Sequence, residues 1–109
     1  MNIALILSGG TGTRLGANIP KQYIEVCGRP IISYCVEQFV KHKEIDAIQI
    51  VADKQWQETI LNCFEINKCL MDNYNRKFRG FSKPGENRQL SIYYGLKDIC
   101  SYAKESDNV

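Results

Sequence analysis

Short apolar runs alternate along the chain with stretches in which apolar residues recur every three or four positions. In residues 2–7, Asn2 is followed by a continuous apolar run from Ile3 to Leu7 that ends at Ser8, which is typical of a strand buried on both faces. A second β-branched run covers residues 47–52, and residues 79–81 are predicted to form a short third strand. This order predicts a parallel sheet with helices between its strands.

Three amphipathic helices are predicted between and after these strands. The first follows Pro30, which is tolerated in a first helical turn, the second follows Asp53, which is a suitable capping residue, and the third lies near the end of the chain. Their apolar positions are Ile31, Ile32, Cys35, Val36, Phe39 and Val40, then Trp56, Ile60, Leu61 and Phe64, and finally Leu90, Tyr93, Tyr94 and the apolar residues of 96–100. Residues 67–78 are polar and have no such period. The expected fold is a three-layer α/β/α, Rossmann-like sheet with its ligand sites beyond the carboxyl ends of the strands.

Composition limits the class of protein. A chain of 109 residues that is 44% hydrophobic and 24% charged fits one globular domain and excludes disordered and fibrous proteins. The formal charge of +2 gives no indication of a nucleic-acid partner. Because the first apolar run is too short for a signal peptide or a membrane span, we expect a cytoplasmic protein without a membrane partner.

The cysteines and large aromatic residues receive structural interpretations. Cys27, Cys35, Cys63, Cys69 and Cys100 are odd in number and contain no C-x-x-C pair. They are therefore expected to be reduced thiols of the core, with a disulfide framework or a zinc site as the alternatives. The six tyrosines and Trp56 lie mainly in amphipathic segments and are expected to pack in the core or on the surface.

The candidate site is the long segment 8–21, which has four glycines and no apolar period. Glycines let several N–H groups approach an anion, and Arg14 and Lys21 add positive charge, so phosphate is the expected ligand. A Walker loop is disfavoured because no glycine precedes a lysine, and a dinucleotide fingerprint is disfavoured because Leu15 stands at its third glycine. A nucleotide site that uses side-chain cations and a plain loop with solvated cations are the alternatives left open.

Two motifs resemble a known family. The sequence LSGGTGTRLG at residues 7–16, followed by IPKQY at residues 19–23, resembles the N-terminal signature of the cytidylyltransferases that act on 2-C-methyl-D-erythritol 4-phosphate or ribitol 5-phosphate. The sequence PGENRQLSIYYGL at residues 84–96 resembles the second signature of that family, in which Pro84 replaces a glycine and Glu86 a common aspartate. Sugar-1-phosphate nucleotidyltransferases, which would prefer UTP or dTTP, share the first motif but place the Pro-Lys pair further along the chain.

The resemblance implies a reaction and a set of site residues. CMP would pass from CTP to a sugar-alcohol phosphate, with 2-C-methyl-D-erythritol 4-phosphate as the expected acceptor and ribitol 5-phosphate as the alternative, and pyrophosphate would leave. Arg14 and Lys21 would stabilise the transition state at the α-phosphate as the catalytic residues. The nucleotide-binding residues would be Leu7, Ser8, Gly9, Gly10, Thr11, Gly12, Gly85, Glu86, Arg88 and Ser91.

The resemblance also implies what lies outside these residues. Residues 1–109 would be the N-terminal, nucleotide-binding part of a single nucleotidyltransferase domain that is apparently truncated. An aspartate that binds Mg²⁺ is expected after residue 109, and the full-length protein is expected to be a homodimer. We therefore expect the 109 residues alone to be inactive as an enzyme, and a nucleotide-binding product without chemistry is the alternative.

Overall fold

The computed structural model describes residues 1–8, 23–63, 68–104 and 107–109, with residues 68–70 described by their backbone. The elements in chain order are β1 (Ile3–Leu7), β2 (Glu25–Val26), β3 (Arg29–Pro30), α1 (Ile31–Lys41), β4 (Ala47–Val51), α2 (Lys54–Asn62), α3 (Lys68–Lys77), β5 (Phe78–Ser82) and α4 (Arg88–Ile99).

The main sheet has three parallel strands in the order β1-β4-β5. The central strand β4 is buried along its whole length, as expected for an apolar strand between two neighbours. Leu7 pairs with Val51, and Val51 pairs with Ser82, so the carboxyl ends of the three strands are level. All three predicted strands are confirmed, and β5 is two residues longer than predicted.

Helices cover both faces of this sheet, which confirms the three-layer arrangement. On one face Ala4 and Ile6 of β1 pack with residues of α1, α2 and α3 in the larger apolar cluster. On the other face Ile3 and Ala47 pack with Ile99 of α4 in a smaller cluster. The alternation along β1 follows from the period of two in a strand, which sends successive side chains to opposite faces. Among the described residues, no helix is long and apolar enough to cross a membrane.

A tight hairpin precedes α1. Strands β2 and β3 pair antiparallel, and the two turn residues, Cys27 and Gly28, both have positive φ (54° and 79°). Two such residues form the type I′ turn that suits the twist of a two-residue hairpin. Pro30 is the N-cap of α1, so it lies one residue before the helix and outside the first turn where it was predicted.

The helix α3 lies in the polar segment that had no helical period. Its inward residues are Met71, Tyr74 and Lys77, which have a spacing of three residues. The Lys77 ammonium donates to the main-chain oxygens of Val40 and His42, both at 2.8 Å, and so binds carbonyls at the C-terminal end of α1. Because the inward position 77 holds a lysine, the sequence shows no clear apolar period along this helix.

The predicted apolar face of α4 is partly wrong. Its buried residues are Ser91, Gly95 and Ile99, whereas Tyr93 and Leu96 are 56% and 39% exposed. The buried stripe consists mainly of small residues because α4 lies very close to the sheet. A Cβ at Gly95 would lie 2.6 Å from Leu5 Cδ1 and 3.1 Å from Val51 Cγ2. The buried face of α4 is therefore marked by small residues that allow close packing, and not by the large apolar residues that the prediction relied on.

The cysteine prediction is half confirmed. Cys27, Cys35, Cys63 and Cys100 are free thiols, as expected. Cys27, Cys35 and Cys100 are exposed, so their placement in the core was wrong. Only Cys63, whose thiol donates to the Thr59 carbonyl at 3.1 Å, is half-buried among the described cysteines.

The outer edge of β1 borders an apolar groove of about 580 Å³. Its lining comes from both faces of the sheet, since it includes Phe39 of α1 as well as Leu96 of α4. Asn108 forms a parallel bridge with Asn2 at one end of this edge, and Val109 lies in the groove. Asn108 and Val109 therefore lie beside β1.

Candidate functional site

The two loops with candidate site residues begin at the same edge of the sheet. Ser8 follows β1, and its backbone N–H donates to the Val51 carbonyl at 2.8 Å. Ser82 ends β5, and its carbonyl accepts from the Ala52 N–H at 3.1 Å. The chain that leaves β1 and the chain that leaves β5 therefore flank the end of β4. This position beyond the carboxyl ends of parallel strands is where α/β sheets bind ligands.

Ser8 is buried and fully occupied by contacts within the protein. Its hydroxyl donates to the Val51 carbonyl at 2.8 Å. The hydroxyl of Tyr23 donates to the Ser8 carbonyl at 3.0 Å and lies 3.2 Å from Ser8 Oγ. Burial raises the pKa of Tyr23, with the charge of Asp53 acting in the same direction, so the phenol stays protonated and remains a donor at neutral pH. The side chain of Ser8 thus braces the end of β1.

The ring of Tyr23 is fixed from a second side. It stacks on Trp56 of α2 with the centroids 4.4 Å apart and the planes 10° from parallel. Tyr23 is 3% exposed. A buried ring between a helix and the end of β1 loses little further freedom when a ligand binds.

The second loop is held tightly against the N-terminus of α4. The Gly85 N–H donates to Ser91 Oγ at 2.9 Å, and the Asn87 side chain accepts from the Leu90 N–H at 2.9 Å as the N-cap. A Cβ at Gly85 would lie 2.3 Å from Leu90 Cβ and 3.0 Å from the Ser91 backbone nitrogen. Only glycine fits there, which accounts for the glycine of the second motif.

The surface of the second loop is positively charged. Arg88 is the first residue of α4 and is exposed, and Lys83 follows β5 directly with its ammonium 4.5 Å from the centre of the Tyr94 ring. Glu86 is also exposed. Arg88 at the N-terminus of α4 favours an anionic ligand, because the dipole of the helix adds to its field, and Lys83 contributes a second positive charge against Tyr94.

A buried polar chain supports the end of β5. The Tyr102 hydroxyl donates to Gln49 Oε1 at 3.1 Å, the Gln49 amide donates to Ser82 Oγ at 2.8 Å, and the Ser82 hydroxyl donates to Asp98 Oδ2 at 2.6 Å. Gln49 and Ser82 are 3% and 1% exposed. Each buried polar group in the chain has a partner, so the network fixes where the second loop begins.

The structure locates part of the predicted site. Ser91 and Gly85 meet in one hydrogen bond, Leu7 is half-buried at the end of β1, and Glu86 and Arg88 face solvent beside Gly85. The predicted residues that lie outside the described part of the chain are Gly9, Gly10, Thr11, Gly12, Arg14 and Lys21. The roles of those six residues stay predictions.

Three residues at the site were missed by the sequence reasoning. The tyrosines and Trp56 were assigned to general packing, and Asp98 was given no role. The contacts of Asp98 and Trp56 join distant parts of the chain, so no local spacing reveals them. Gln49 was the available signal, because an amide in the middle of an otherwise apolar buried strand needs a partner.

The described side chains lack a cluster of metal ligands. Across residues 1–8, 23–63, 71–104 and 107–109, no group of three or more His, Cys, Asp or Glu side chains could hold a metal ion. Asp98 already accepts a hydrogen bond from Ser82, the residue at which the second loop begins. The described residues therefore do not form a magnesium site of their own.

Comparison with known proteins gives a consistent set of relatives. Ribitol-5-phosphate cytidylyltransferase from Vibrio parahaemolyticus is 36% identical over 99% of this chain and 42% of its own length. The chloroplastic 2-C-methyl-D-erythritol 4-phosphate cytidylyltransferase of rice is 34% identical over 87% of this chain and 29% of its own length. The chain thus spans less than half the length of these curated relatives.

A solved structure and a family model agree with these relatives. The crystal structure of 4-diphosphocytidyl-2C-methyl-D-erythritol synthase from Anaerococcus prevotii superposes with a TM-score of 0.66 at 25% identity, over 98% of this chain and 39% of that one. The family model for 2-C-methyl-D-erythritol 4-phosphate cytidylyltransferase matches residues 2–105. With that match over nearly its whole length, the chain belongs to the 2-C-methyl-D-erythritol 4-phosphate cytidylyltransferase family.

Proposed function

We propose that this chain supplies the nucleotide-binding part of a cytidylyltransferase that transfers CMP from CTP to a sugar-alcohol phosphate. The observation that supports this most is that the two motif-bearing segments begin at one edge of the parallel sheet. Ser8 begins the first and Ser82 begins the second, and β4 alone separates them. A triphosphate bound across this edge would meet both segments.

The chemistry needs few protein groups. An oxygen of the acceptor phosphate attacks the α-phosphorus of CTP, and a new P–O bond forms there. The bond from the α-phosphorus to the bridging oxygen breaks, and pyrophosphate leaves with the electron pair. Arg14 and Lys21 are proposed to neutralise the negative charge that spreads over the α-phosphate. Arg88 and Lys83 supply positive charge at the second loop.

The proposed acceptor is 2-C-methyl-D-erythritol 4-phosphate. The family model and the rice relative have that substrate in their names. Ribitol 5-phosphate is the second candidate, because a relative of that name is 36% identical over 99% of this chain. Mg²⁺ as cofactor, a homodimer and a cytoplasmic location complete the proposal, and no step is assigned to the metal because the described residues do not fit one.

Calorimetric titration with CTP, UTP and ATP tests the nucleotide part of the proposal. We expect CTP to bind more tightly than the other two, and we expect an Arg14→Ala, Lys21→Ala double variant to weaken CTP binding. A Lys41→Ala, Lys43→Ala variant is the matched control, since it removes two cations at the far end of α1. Equal affinity for the three nucleotides would refute a cytidine site, and preference for UTP would favour a sugar-1-phosphate nucleotidyltransferase.

The acceptor is tested by release of pyrophosphate from CTP with each of the two alcohol phosphates in turn. The proposal predicts release with 2-C-methyl-D-erythritol 4-phosphate when the chain is supplemented with the remaining length of a relative such as the one from Thermotoga neapolitana. Release with ribitol 5-phosphate alone would instead establish the second candidate.

A further inference from the structure

The segment 82–85, with which the second loop begins, is bonded at both ends to the same helix. The Gly85 N–H donates to Ser91 Oγ at 2.9 Å, and the Ser82 hydroxyl donates to Asp98 Oδ2 at 2.6 Å. Ser91 and Asp98 are seven residues apart in α4. Seven residues make about two helical turns, so the two side chains lie on one face of the helix, about 10 Å apart along its axis. The segment therefore runs along α4 between two fixed points.

The segment has the length that this spacing requires. Three extended residues span about 10 Å, which equals the rise between the two anchors on the helix. Pro84 restricts the backbone of Lys83 to extended conformations. The Lys83 ammonium lies 4.5 Å from the centre of the ring of Tyr94, which stands between the two anchors in α4. Because the segment has so little slack, a shift at Ser82 must also displace Gly85.

The hydroxyl of Ser82 is directed toward Asp98 by the contact behind it. The Gln49 amide donates to Ser82 Oγ at 2.8 Å, so the hydroxyl hydrogen is left for the Asp98 carboxylate, which can only accept. The Tyr102 hydroxyl donates to the other end of that amide, Gln49 Oε1, at 3.1 Å. The acceptor at Asp98 thus sets the direction of every hydrogen bond in this chain of four residues.

We propose that Asp98 is a positioning residue of the nucleotide site, which holds Ser82 and, through the extended segment 82–85, places Gly85 and the residues after it for CTP. This inference rests on the proposed function. It gives a role to a side chain that lies outside both motifs. Asp98 itself touches no atom of the nucleotide in this arrangement.

A need for stability alone does not explain the buried polar groups at this place. Gln49 and Ser82 are 3% and 1% exposed, so each depends on its partners in the protein for its hydrogen bonds. Replacing such a set by apolar groups of the same shape is often neutral or stabilising, because the polar groups must give up their bonds to water. What the polar set adds is a single position for the end of β5, from which the second loop starts.

Hydrogen exchange of the backbone amides, followed by NMR of the ¹⁵N-labelled chain without nucleotide, tests the positioning role. In Asp98→Ala, exchange at the Gly85 N–H should rise about tenfold relative to exchange at Ile50, the factor expected from the loss of one hydrogen bond to a charged group. Ile50 is fully buried in the central strand, so its amide reports unfolding of the whole chain. The ratio of the two rates therefore isolates the loop.

Two further variants serve as controls for this ratio. Asp98→Asn keeps an oxygen that can accept from Ser82, so it should restore most of the protection at Gly85. Asp72→Ala removes an exposed carboxylate from α3 and should leave the ratio unchanged. An unchanged ratio in Asp98→Ala, an equal rise at both amides, or no rescue by asparagine would overturn the proposal. If Asp98→Ala does not fold, Ser82→Ala removes the same bond from its other side and must raise the ratio.

A double-mutant cycle with CTP tests the link from Asp98 to the nucleotide. Asp98→Ala should weaken CTP binding about tenfold in the unmodified chain and have no further effect in the Ser82→Ala background, because Asp98 acts through Ser82. Unchanged affinity in Asp98→Ala, or an equal loss in both backgrounds, would overturn this link. Failure of the unmodified chain to bind CTP would refute the proposed function, and the exchange at Gly85 would still decide whether Asp98 positions the loop.

Discussion

Replacing Gly85 with alanine tests the close packing that shapes the second loop. The added Cβ would lie 2.3 Å from Leu90 Cβ, 2.9 Å from the Leu90 carbonyl carbon and 3.0 Å from the Ser91 nitrogen. Carbon atoms prefer separations of about 3.5–4.0 Å, so the loop must move by about 1.5 Å. Two of the three neighbours are backbone atoms, and no change of rotamer can relieve them.

The expected cost follows from two effects. Overpacking of this kind costs about 1–3 kcal/mol, and the displacement would break the Gly85 N–H bond to Ser91 Oγ, which is worth about 1 kcal/mol. The loss of freedom in the unfolded chain when glycine becomes alanine offsets about 0.4–1 kcal/mol of this. We therefore expect a net destabilisation of about 1–3 kcal/mol.

Urea denaturation measures this cost, and Gly95→Ala is the control. A Cβ at Gly95 would also be crowded, at 2.6 Å from Leu5 Cδ1 and 3.1 Å from Val51 Cγ2, but these neighbours are side chains, and Leu5 can shift. An alanine inside α4 also gains about 1 kcal/mol of helix propensity, so Gly95→Ala should cost about 0–2 kcal/mol. Only Gly85→Ala should also weaken CTP binding, by about tenfold. The reasoning is refuted if Gly85→Ala unfolds at the urea concentration of the unmodified chain.

Three further predictions concern other parts of the molecule. Lys77→Met should destabilise the chain by about 1–3 kcal/mol in urea, because it removes two hydrogen bonds to the end of α1, whereas Lys43→Met at an exposed position should have no effect. Burial raises the pKa of Tyr74 and Tyr102 above the ordinary 10.0, so the folded chain keeps protons that the unfolded chain releases. Their contribution is complete below pH 10 and is lost as the pH rises toward the folded pKa, so Tm should fall as the pH rises above about 10, and phenylalanine at both positions should reduce that fall. Trp56 is the single tryptophan and stacks on Tyr23, so saturating CTP should change its emission, and an unaltered spectrum would contradict a nucleotide bound at this end of the sheet.

The strands and most helices could be predicted because burial leaves a period in the sequence. The runs that became β1 and β4 needed no further information, since both are apolar apart from Gln49, as is typical of strands buried on both faces. Pro30 and Asp53 also mark the starts of α1 and α2 as expected, although Asp53 accepts no side-chain capping bond within the described residues.

The errors in predicting α3 and the buried face of α4 share one physical cause. A period of apolar residues is lost when an inward position holds a group chosen for a specific contact. Lys77 in α3 binds main-chain carbonyls, and Gly95 in α4 allows a close approach to the sheet. Both choices depend on what the rest of the fold places opposite them, which the local sequence does not contain.

The sequence predicted which segments carry the candidate site residues, but it did not predict the side-chain contacts that fix the ends of these segments. The glycines and cations of the two motifs predicted which segments form the site, and the level ends of β1 and β5 show that these segments begin near each other. The hydrogen bond from Tyr23 to Ser8 could not be predicted from the sequence, because Trp56 and Val51, which hold the two residues in place, come from distant parts of the chain.

The most direct test of the account is a titration of the ¹⁵N-labelled chain with CTP, followed by two-dimensional NMR of its backbone amides. The account predicts saturable shifts in two separate stretches, residues 9–22 and 83–88, with one shared dissociation constant. Amides of the β2–β3 hairpin and of the groove beside β1 should stay in place. Shifts confined to one stretch, or centred on that groove, would contradict the claim that both loops form a single CTP site.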